Sequence, residues 1–137
     1  MWEALAKEGL LKETIVEFVH ERDWVTLVEL QRHMGDYMET KGHIALEWAP
    51  NLLLWGGMSQ ELVDLILELI KEKRIFLYTT SVLTYMADGG VVGLPVAKNT
   101  PKNGYKKPHW LPVCIRVAPR DRARSAPEGG NIETDNL

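Results

Sequence analysis

Three segments of the chain space their apolar residues as amphipathic helices do. Between residues 10 and 22, apolar side chains recur at i, i+4, i+7 and i+8, with charged residues on the other faces. A second helix is predicted from Thr26, because Thr26 followed three residues later by Glu29 forms a capping box. A third helix over 60–74 has an N-cap at Ser59 and a wide apolar face. The apolar positions are Leu11, Ile15, Phe18 and Val19 in the first helix, Leu27, Leu30, Met34 and Met38 in the second, and Leu62, Leu65, Ile66, Leu69 and Ile70 in the third.

Extended chain is predicted between the second and third helices. The second helix can end or kink at Gly35 and ends at Gly42 at the latest. From residue 43 to residue 48, apolar and polar side chains alternate, which is typical of a short strand. Pro50 ends this strand. The apolar run 51–58 that follows indicates a buried extended segment or loop rather than a helix.

A strand–turn–strand unit is predicted after the third helix. Residues 75–80 are β-branched and aromatic, Asp88-Gly89-Gly90 is a turn signal, and residues 91–97 are apolar again, so both flanking segments are predicted as strands. A further strand is predicted over 109–117, and Pro112 within it indicates an edge strand, because proline cannot donate a ladder hydrogen bond. Two side chains between the first strand and the turn are expected to pack inward: Tyr85 and Met86.

The order of these elements from residue 10 to residue 97 resembles a winged-helix domain of the helix-turn-helix superfamily. The residues that carry the resemblance are Trp24-Val25-Thr26-Leu27, which lead through a short extended link into the capped second helix. The helix capped by Ser59 then runs directly into Arg74-Ile75-Phe76-Leu77-Tyr78, and the turn at 88–90 stands where a wing would be.

The predicted fold class is therefore α+β and winged-helix-like, with three main helices and a small antiparallel sheet of about three to four short strands. The chain departs from the winged-helix pattern at residues 42–58, which stand where the family has a short turn between the second and third helices. A small α+β fold of different connectivity is therefore the alternative. Residues 1–118 are predicted as a single domain and residues 119–137 as a flexible C-terminal tail. The apolar segment around Trp2 and Leu5 is compatible with an extra helical turn packed on the core.

The resemblance implies nucleic-acid binding through the third helix, whose exposed face should then be basic or rich in amides. The sequence places four carboxylates on that face instead. In a major groove they would lie against phosphates, so this mode of DNA recognition is disfavoured. The four acidic residues, at i, i+3, i+7 and i+11, are Glu61, Asp64, Glu68 and Glu72.

Charge is distributed unevenly along the chain. Residues 98–124 carry eight Lys or Arg against one acidic residue, whereas residues 1–97 sum to −7 and the last thirteen residues to −3. The basic segment is therefore predicted to bind an anionic partner. Its aromatic residues suit either stacking on unpaired bases or docking on an acidic, partly apolar protein surface, and a solvated loop without a partner is the third interpretation.

An acidic protein surface is the preferred partner, because acidic helices make long contact with duplex DNA unfavourable. In this hypothesis the basic side chains meet the acidic surface while Tyr105 and Trp110 anchor apolar contact. The predicted partner-binding residues are Lys98, Lys102, Tyr105, Lys106, Lys107, His109, Trp110, Arg116, Arg120, Arg122 and Arg124.

No catalytic constellation is recognised in the sequence, so the chain is interpreted as a non-enzymatic protein without a cofactor. No phosphate-binding loop, nucleophile elbow or dinucleotide fingerprint occurs. The single cysteine, Cys114, lies in an apolar run and is interpreted as a core residue. The four histidines lack the spacing of metal ligands, so no metal site is predicted; they are His20, His33, His43 and His109.

The leading hypothesis is a small cytoplasmic regulator that docks through its basic arm on a larger assembly, and transcription machinery such as RNA polymerase is the assembly that we expect. No apolar stretch reaches the roughly 20 residues of a membrane span, and the amino end is acidic where a signal peptide would be basic. The sparse Gln and Cys content is typical of a heat-tolerant source. The alternatives are a winged-helix repressor that binds DNA directly through wing and arm, and a hydrolase or nuclease with a dispersed site. The oligomeric state stays open.

Overall fold

The computed structural model describes residues 2–117 and has a mixed α/β architecture. Within that range the chain forms five helices and six strands, and the strands are arranged in two three-stranded sheets. In chain order the elements are α1 (Trp2–Lys7), α2 (Leu11–Arg22), β1 (Val25–Thr26), α3 (Leu27–Met34), β2 (Lys41–Ala49), β3 (Leu52–Met58), α4 (Gln60–Lys71), β4 (Ile75–Thr79), α5 (Val82–Ala87), β5 (His109–Trp110) and β6 (Val113–Val117).

The three predicted helices correspond to α2, α3 and α4, and two of them begin at the predicted caps. The Thr26 hydroxyl accepts a hydrogen bond from the amide of Glu29 at 3.1 Å, and the Ser59 hydroxyl accepts one from Leu62 at 3.1 Å. α3 ends at Met34 with Gly35 as its C-cap, the earlier of the two predicted end points. The prediction of three helices was incomplete, because α1 and α5 add two short ones.

The first sheet has the strand order β1-β6-β4 and is antiparallel throughout. Ile115 in the middle of β6 pairs with Val25 on one side and with Leu77 on the other. The predicted strand over 109–117 is divided at Pro112 into β5, which lies at the edge of the other sheet, and β6, so the prediction of an edge strand was wrong for β6. Pro112 precedes β6, so its missing N–H is not needed in the ladder, and its carbonyl accepts a hydrogen bond from the Thr80 amide at 3.0 Å.

The second sheet has the order β2-β3-β5 and combines an antiparallel hairpin with a parallel pair. The predicted strand over 43–48 and the predicted extended segment over 51–58 form this hairpin as β2 and β3. The prediction of a strand over 91–97 was wrong: within that segment Val96 makes an isolated bridge to Trp110, and β4 pairs with β6 instead. Gly93 and Pro95 interrupt the segment, since neither residue favours a continuous ladder.

The core lies between the two sheets and the helices, and Tyr85 of α5 is its central aromatic residue. Tyr85 is fully buried, as predicted, and its hydroxyl donates to the Val113 carbonyl at 2.6 Å and accepts from the Leu27 amide at 3.1 Å. Burial raises the pKa of Tyr85 above its ordinary value, so the hydroxyl stays protonated. The prediction that Met86 packs inward was wrong. Met86 is 56% exposed, because the next residue along a helix points to a different face.

The buried amide side chain of Gln31 joins α3 to two other segments. Its nitrogen donates to the carbonyls of Thr40, at 3.1 Å, and Gly57, at 2.8 Å. Its oxygen accepts from the indole nitrogen of Trp55 at 3.1 Å. These hydrogen bonds lie in buried or partly buried surroundings, so Gln31 supplies an acceptor for the Trp55 indole and donors for both carbonyls, of which that of Thr40 also accepts from the Ser59 amide at 2.9 Å.

We expect Gln31→Leu to lower the free energy of unfolding by about 2–4 kcal/mol, because the apolar side chain leaves the Trp55 indole without its acceptor and removes one donor from each of the Gly57 and Thr40 carbonyls. Chemical denaturation followed by tryptophan fluorescence would measure the loss. Gln60→Leu is the matched control, since Gln60 is exposed and hydrogen-bonds only Asp64 among the described residues. Equal effects of the two substitutions would contradict a stabilising role for the Gln31 hydrogen bonds.

Candidate functional site

Residues 98–109, called the basic loop from here on, are attached by hydrogen bonds to the turn between β2 and β3. The amide of Tyr105 donates to the Pro50 carbonyl at 2.9 Å, and that of His109 donates to the Asn51 carbonyl at 2.8 Å. The Asn51 side chain donates in return to the Tyr105 carbonyl at 2.9 Å. Asn51 has a φ of 60°, a left-handed conformation that asparagine tolerates better than most residues. The loop backbone is thus fixed at the tip of the hairpin.

Gly104 allows the closest approach between the basic loop and the hairpin turn. Its φ is +70°, and a Cβ atom at this position would lie 1.8 Å from the Pro50 carbonyl oxygen. Its own amide donates to the Pro101 carbonyl at 3.0 Å. Any side chain here would separate the loop from the turn, so the geometry of the loop requires glycine.

Two aromatic rings of the basic loop stack on one another. The centroids of Tyr105 and His109 are 3.9 Å apart with an interplanar angle of 20°. The Tyr105 hydroxyl donates to the Asn99 side-chain oxygen at 2.8 Å, and His109 Nδ1 lies 2.8 Å from the Lys107 carbonyl oxygen. Because one face of each ring is already covered, the pair acts as a rigid support for the loop and leaves fewer ring faces for a ligand.

The lysines of the basic loop are exposed, and among residues 2–117 none of them forms an ion pair. The acidic residue at the adjacent hairpin end, Glu47, accepts a hydrogen bond from the Asn51 amide at 3.0 Å. The loop therefore presents concentrated positive charge on a fixed backbone, which suits an anionic surface. The four lysines are Lys98, Lys102, Lys106 and Lys107.

Arg116 does not belong to this surface, and its prediction as a partner-binding residue is corrected. Its side chain is 0% exposed on the central strand β6, and its Nε and Nη2 donate to the carboxylate of Asp23 at 2.8 and 2.7 Å. Its guanidinium carbon lies 4.0 Å from the centroid of the Trp24 ring. This charge is paired inside the protein, so Arg116 is not accessible to a docking partner.

Trp110 is likewise removed from the predicted site. It is 1% exposed, its indole nitrogen donates to the Leu54 carbonyl at 3.1 Å, and its ring packs edge-on against Tyr85 at 5.2 Å. The ring fills the core because β5 is inserted parallel to β3, a pairing that the sequence did not indicate. Three other predicted partner-binding residues, Arg120, Arg122 and Arg124, lie outside the described part of the chain. The predicted domain boundary after residue 118 lies outside it as well.

The four acidic residues predicted on one face of the third helix are all exposed, three of them in α4 and the fourth, Glu72, at its C-cap. Two ion pairs connect this region to α2: Lys12 with Glu72, and Arg74 with Glu13 at 2.9 Å. Exposed pairs of this kind contribute little to stability, but they leave the remaining carboxylates of α4 to dominate its surface. The described surface therefore carries negative charge on α4 and positive charge on the basic loop.

A groove of about 700 Å³ lies between the end of α3, the link that follows it and the turn at Asp88. Sequence reasoning missed it, because its walls come from segments distant along the chain. Arg32 crosses one side and donates to the Asp88 carbonyl at 3.0 Å. Charges of both signs line the groove: Arg32, Asp36, Glu39, Lys41 and Asp88. This mixed lining favours neither an anion nor a cation.

Burial is the largest cause of the pKa shifts of Cys114, Glu29 and His33. Burial raises the pKa of Cys114 to about 11, which makes its thiol a weak nucleophile at neutral pH. Burial also raises the pKa of Glu29. The pKa of His33 is lowered, mainly by burial and to a smaller extent by the positive charge of Arg22. Within residues 2–117, no three His, Cys, Asp or Glu side chains converge as a metal ion would require.

Comparison with known protein families, with curated proteins and with solved structures found no match to this chain. Among the described residues, no helix combines the length and the apolar character needed to cross a membrane.

We expect Gly104→Ala to lower the free energy of unfolding by about 2–4 kcal/mol, because the methyl group collides with the Pro50 carbonyl and the left-handed backbone disfavours alanine. Thermal and denaturant unfolding would measure the change. Gly93→Ala is the control: a methyl group there would have no atom within 4 Å and its φ is not positive, so a change within about 0.5 kcal/mol is expected. An unaltered stability of the Gly104→Ala protein would contradict the described attachment of the basic loop.

Proposed function

We propose that the protein is a non-enzymatic regulator that docks through its basic loop on an acidic protein surface of a larger assembly. The observation that carries this proposal is the set of four exposed lysines, none of them in an ion pair within the described residues, on a loop whose backbone is hydrogen-bonded to the hairpin turn. A loop that is already ordered loses less conformational entropy on binding than a flexible one. Its charge would also accelerate association with a surface of opposite sign.

A protein partner fits the charge distribution better than duplex DNA does. A long DNA duplex touching the loop would also approach other faces of this small domain, and the exposed carboxylates of α4 would repel its phosphates. An acidic patch on a protein is local and can meet the basic loop without approaching α4. Stacking of Tyr105 on His109 further reduces the ring area available to unpaired bases.

The fold that we propose is a winged-helix variant. Its support is the path α2, β1, α3, α4, β4, β6, together with the strand order β1-β6-β4, in which the last strand lies between the other two. Two additions distinguish this chain from the simple winged-helix path: the β2–β3 hairpin between α3 and α4, and the long connection from β4 to β6 that contains α5 and the basic loop. The additions carry the proposed docking site.

Transcription machinery, such as RNA polymerase, is the proposed assembly, and the cytoplasm is the proposed compartment. A small domain of this kind would act by occupying or repositioning a functional surface of the larger complex. The acidic α4 would then either discourage competing contact with DNA or meet a basic region of the same partner.

We expect the double substitution Lys106→Glu, Lys107→Glu to weaken binding to RNA polymerase purified from the source cells by at least about tenfold, since two attractions become repulsions. Biolayer interferometry with the immobilised protein would measure the affinity. The control is Lys71→Glu, Lys73→Glu, which makes the same charge change at the exposed end of α4. Equal affinities of the wild type and the loop variant, or equal losses in both variants, would contradict docking through the basic loop.

A direct DNA-binding repressor is the second candidate, favoured by the same winged-helix path and by the position of the basic loop in the β4–β6 connection. If the four loop lysines bind phosphates, the logarithm of the binding constant should fall with the logarithm of salt concentration at a slope of about −3 to −4. We expect no such complex at low salt, because of the acidic α4. A gel-shift titration with duplex and single-stranded DNA at two salt concentrations tests this, and a steep slope with duplex DNA would instead support the repressor.

A further inference from the structure

The outward face of α4 is acidic, and the described residues do not neutralise it. Glu61, Asp64 and Glu68 are exposed and form no ion pair within residues 2–117. Asp64 accepts a hydrogen bond from the Gln60 side chain at 2.8 Å, and this neutral donor leaves its charge uncompensated. Lys71 is the one basic residue of α4, so the helix keeps a net negative charge. A helix face of this kind attracts a cationic partner.

The described part of the chain ends beside the C-terminal end of this helix. β6 is antiparallel to β4, and its last residue, Val117, is the register partner of Ile75 at the start of β4. Glu72, the C-cap of α4, precedes Ile75 by three residues. The next residues of the chain therefore leave the first sheet at the junction of α4 and β4.

The chain immediately after Val117 supplies charge of the opposite sign. Pro119 disfavours helical backbone at Ala118, so extended chain is the expected continuation of β6. Alternate side chains of an extended chain lie on the same side, which places Asp121 opposite the arginines that flank it. The arginines occur at every second position: Arg120, Arg122 and Arg124.

The spacing of these arginines matches that of the carboxylates on α4. Asp64, Glu68 and Glu72 recur every four residues, a rise of about 6 Å per step along a helix. Every second residue of an extended chain advances by about 6.6 Å, and the first arginine lies about 10 Å of extended chain beyond Val117. Glu72 also pairs with Lys12, but a carboxylate accepts more than one donor. The three arginines can therefore reach three successive carboxylates.

We propose that residues 118–124 of this chain dock on the outward face of α4, with their arginines on its carboxylates. Exposed ion pairs are individually weak, but segment and helix belong to one chain, so the effective concentration of the arginines at α4 is high. Residues 118–137 add three basic and four acidic side chains, so docking does not turn this surface positive and duplex DNA stays disfavoured.

The docked segment and the basic loop are distinct in their residues and in their partners. The arginines are occupied by α4, and the lysines of the basic loop face an external acidic surface. The contact therefore does not depend on the proposed docking function.

The test attaches a nitroxide spin label to the full chain and measures paramagnetic broadening of backbone amide NMR signals. Ser125→Cys places the label beside the arginines, and Cys114 is too buried to compete for it, at 1% exposed. We expect the amides of Glu61, Asp64 and Glu68 to be broadened. Raising NaCl from about 0.1 to about 0.5 M shortens the screening length from about 10 to about 4 Å, so the broadening should fall.

Neutralising the arginines should remove the contact. Arg120→Gln, Arg122→Gln, Arg124→Gln should reduce the relaxation enhancement at the α4 amides at least about threefold. The matched control makes the same charge change in the basic loop and should leave the enhancement unchanged: Lys98→Gln, Lys102→Gln, Lys106→Gln. Equal enhancement in the wild type and in the arginine variant would overturn the proposal.

Charge reversal on both sides tests ion pairing directly. Changing all three arginines to glutamate should abolish the enhancement, and adding Asp64→Arg with Glu68→Arg should restore it. Failure to restore it would exclude these carboxylates as the docking site. Circular dichroism establishes that each variant is folded, and Glu61→Arg replaces Asp64→Arg if the α4 variant is not.

A second copy of the chain is the competing occupant of α4. Mixing spin-labelled chain with unlabelled, isotope-enriched chain detects it, because only contact between molecules then broadens the signals. We expect no broadening in this mixture, and broadening as large as in the labelled chain itself would overturn the proposal. Binding to RNA polymerase does not enter these measurements, so their failure leaves the proposed docking function untouched.

Discussion

The buried hydroxyl of Tyr85 holds together segments that are far apart in the sequence. It bonds the start of α3 through Leu27 and the start of β6 through Val113, and both partners are backbone groups. Its ring packs at 5.2 Å against Trp55 and Trp110, which belong to the second sheet. One side chain therefore connects α3, α5 and both sheets, and water cannot substitute for it in a closed core.

This anchoring explains how a small domain supports two extended features, the β2–β3 hairpin and the long connection from β4 to β6. The β2–β3 hairpin is joined to α3 by Gln31, and the basic loop is joined to the hairpin by Asn51. The connection between β4 and β6 is fixed near its beginning by Tyr85 and near its end by the pairing of β5 with β3. The hairpin and the connection are thus each tied to residues of the buried core.

The parts of the fold that local chemistry determines were predictable from the sequence. Helix periodicity and the hydroxyl caps at Thr26 and Ser59 located α3 and α4. Pairings between distant segments were not, because no short-range pattern distinguishes β6 from residues 91–97 as the partner of β4. The lysines of the basic loop were identified because their local charge pattern is visible in the sequence. The burial of Arg116 depends on its distant partner Asp23, so it could not be inferred from charge alone.

The central position of β6 has a consequence for biosynthesis. Ile115 pairs with both Val25 and Leu77, so the two outer strands of the first sheet have no direct contact in the ladder until β6 joins them. A ribosome releases the chain from its amino end, and residues 113–117 leave the exit tunnel long after α2, α3 and α4. Until then Asp23 also lacks the guanidinium of Arg116. The nascent chain must keep these surfaces from misassociating while it waits for its last described strand.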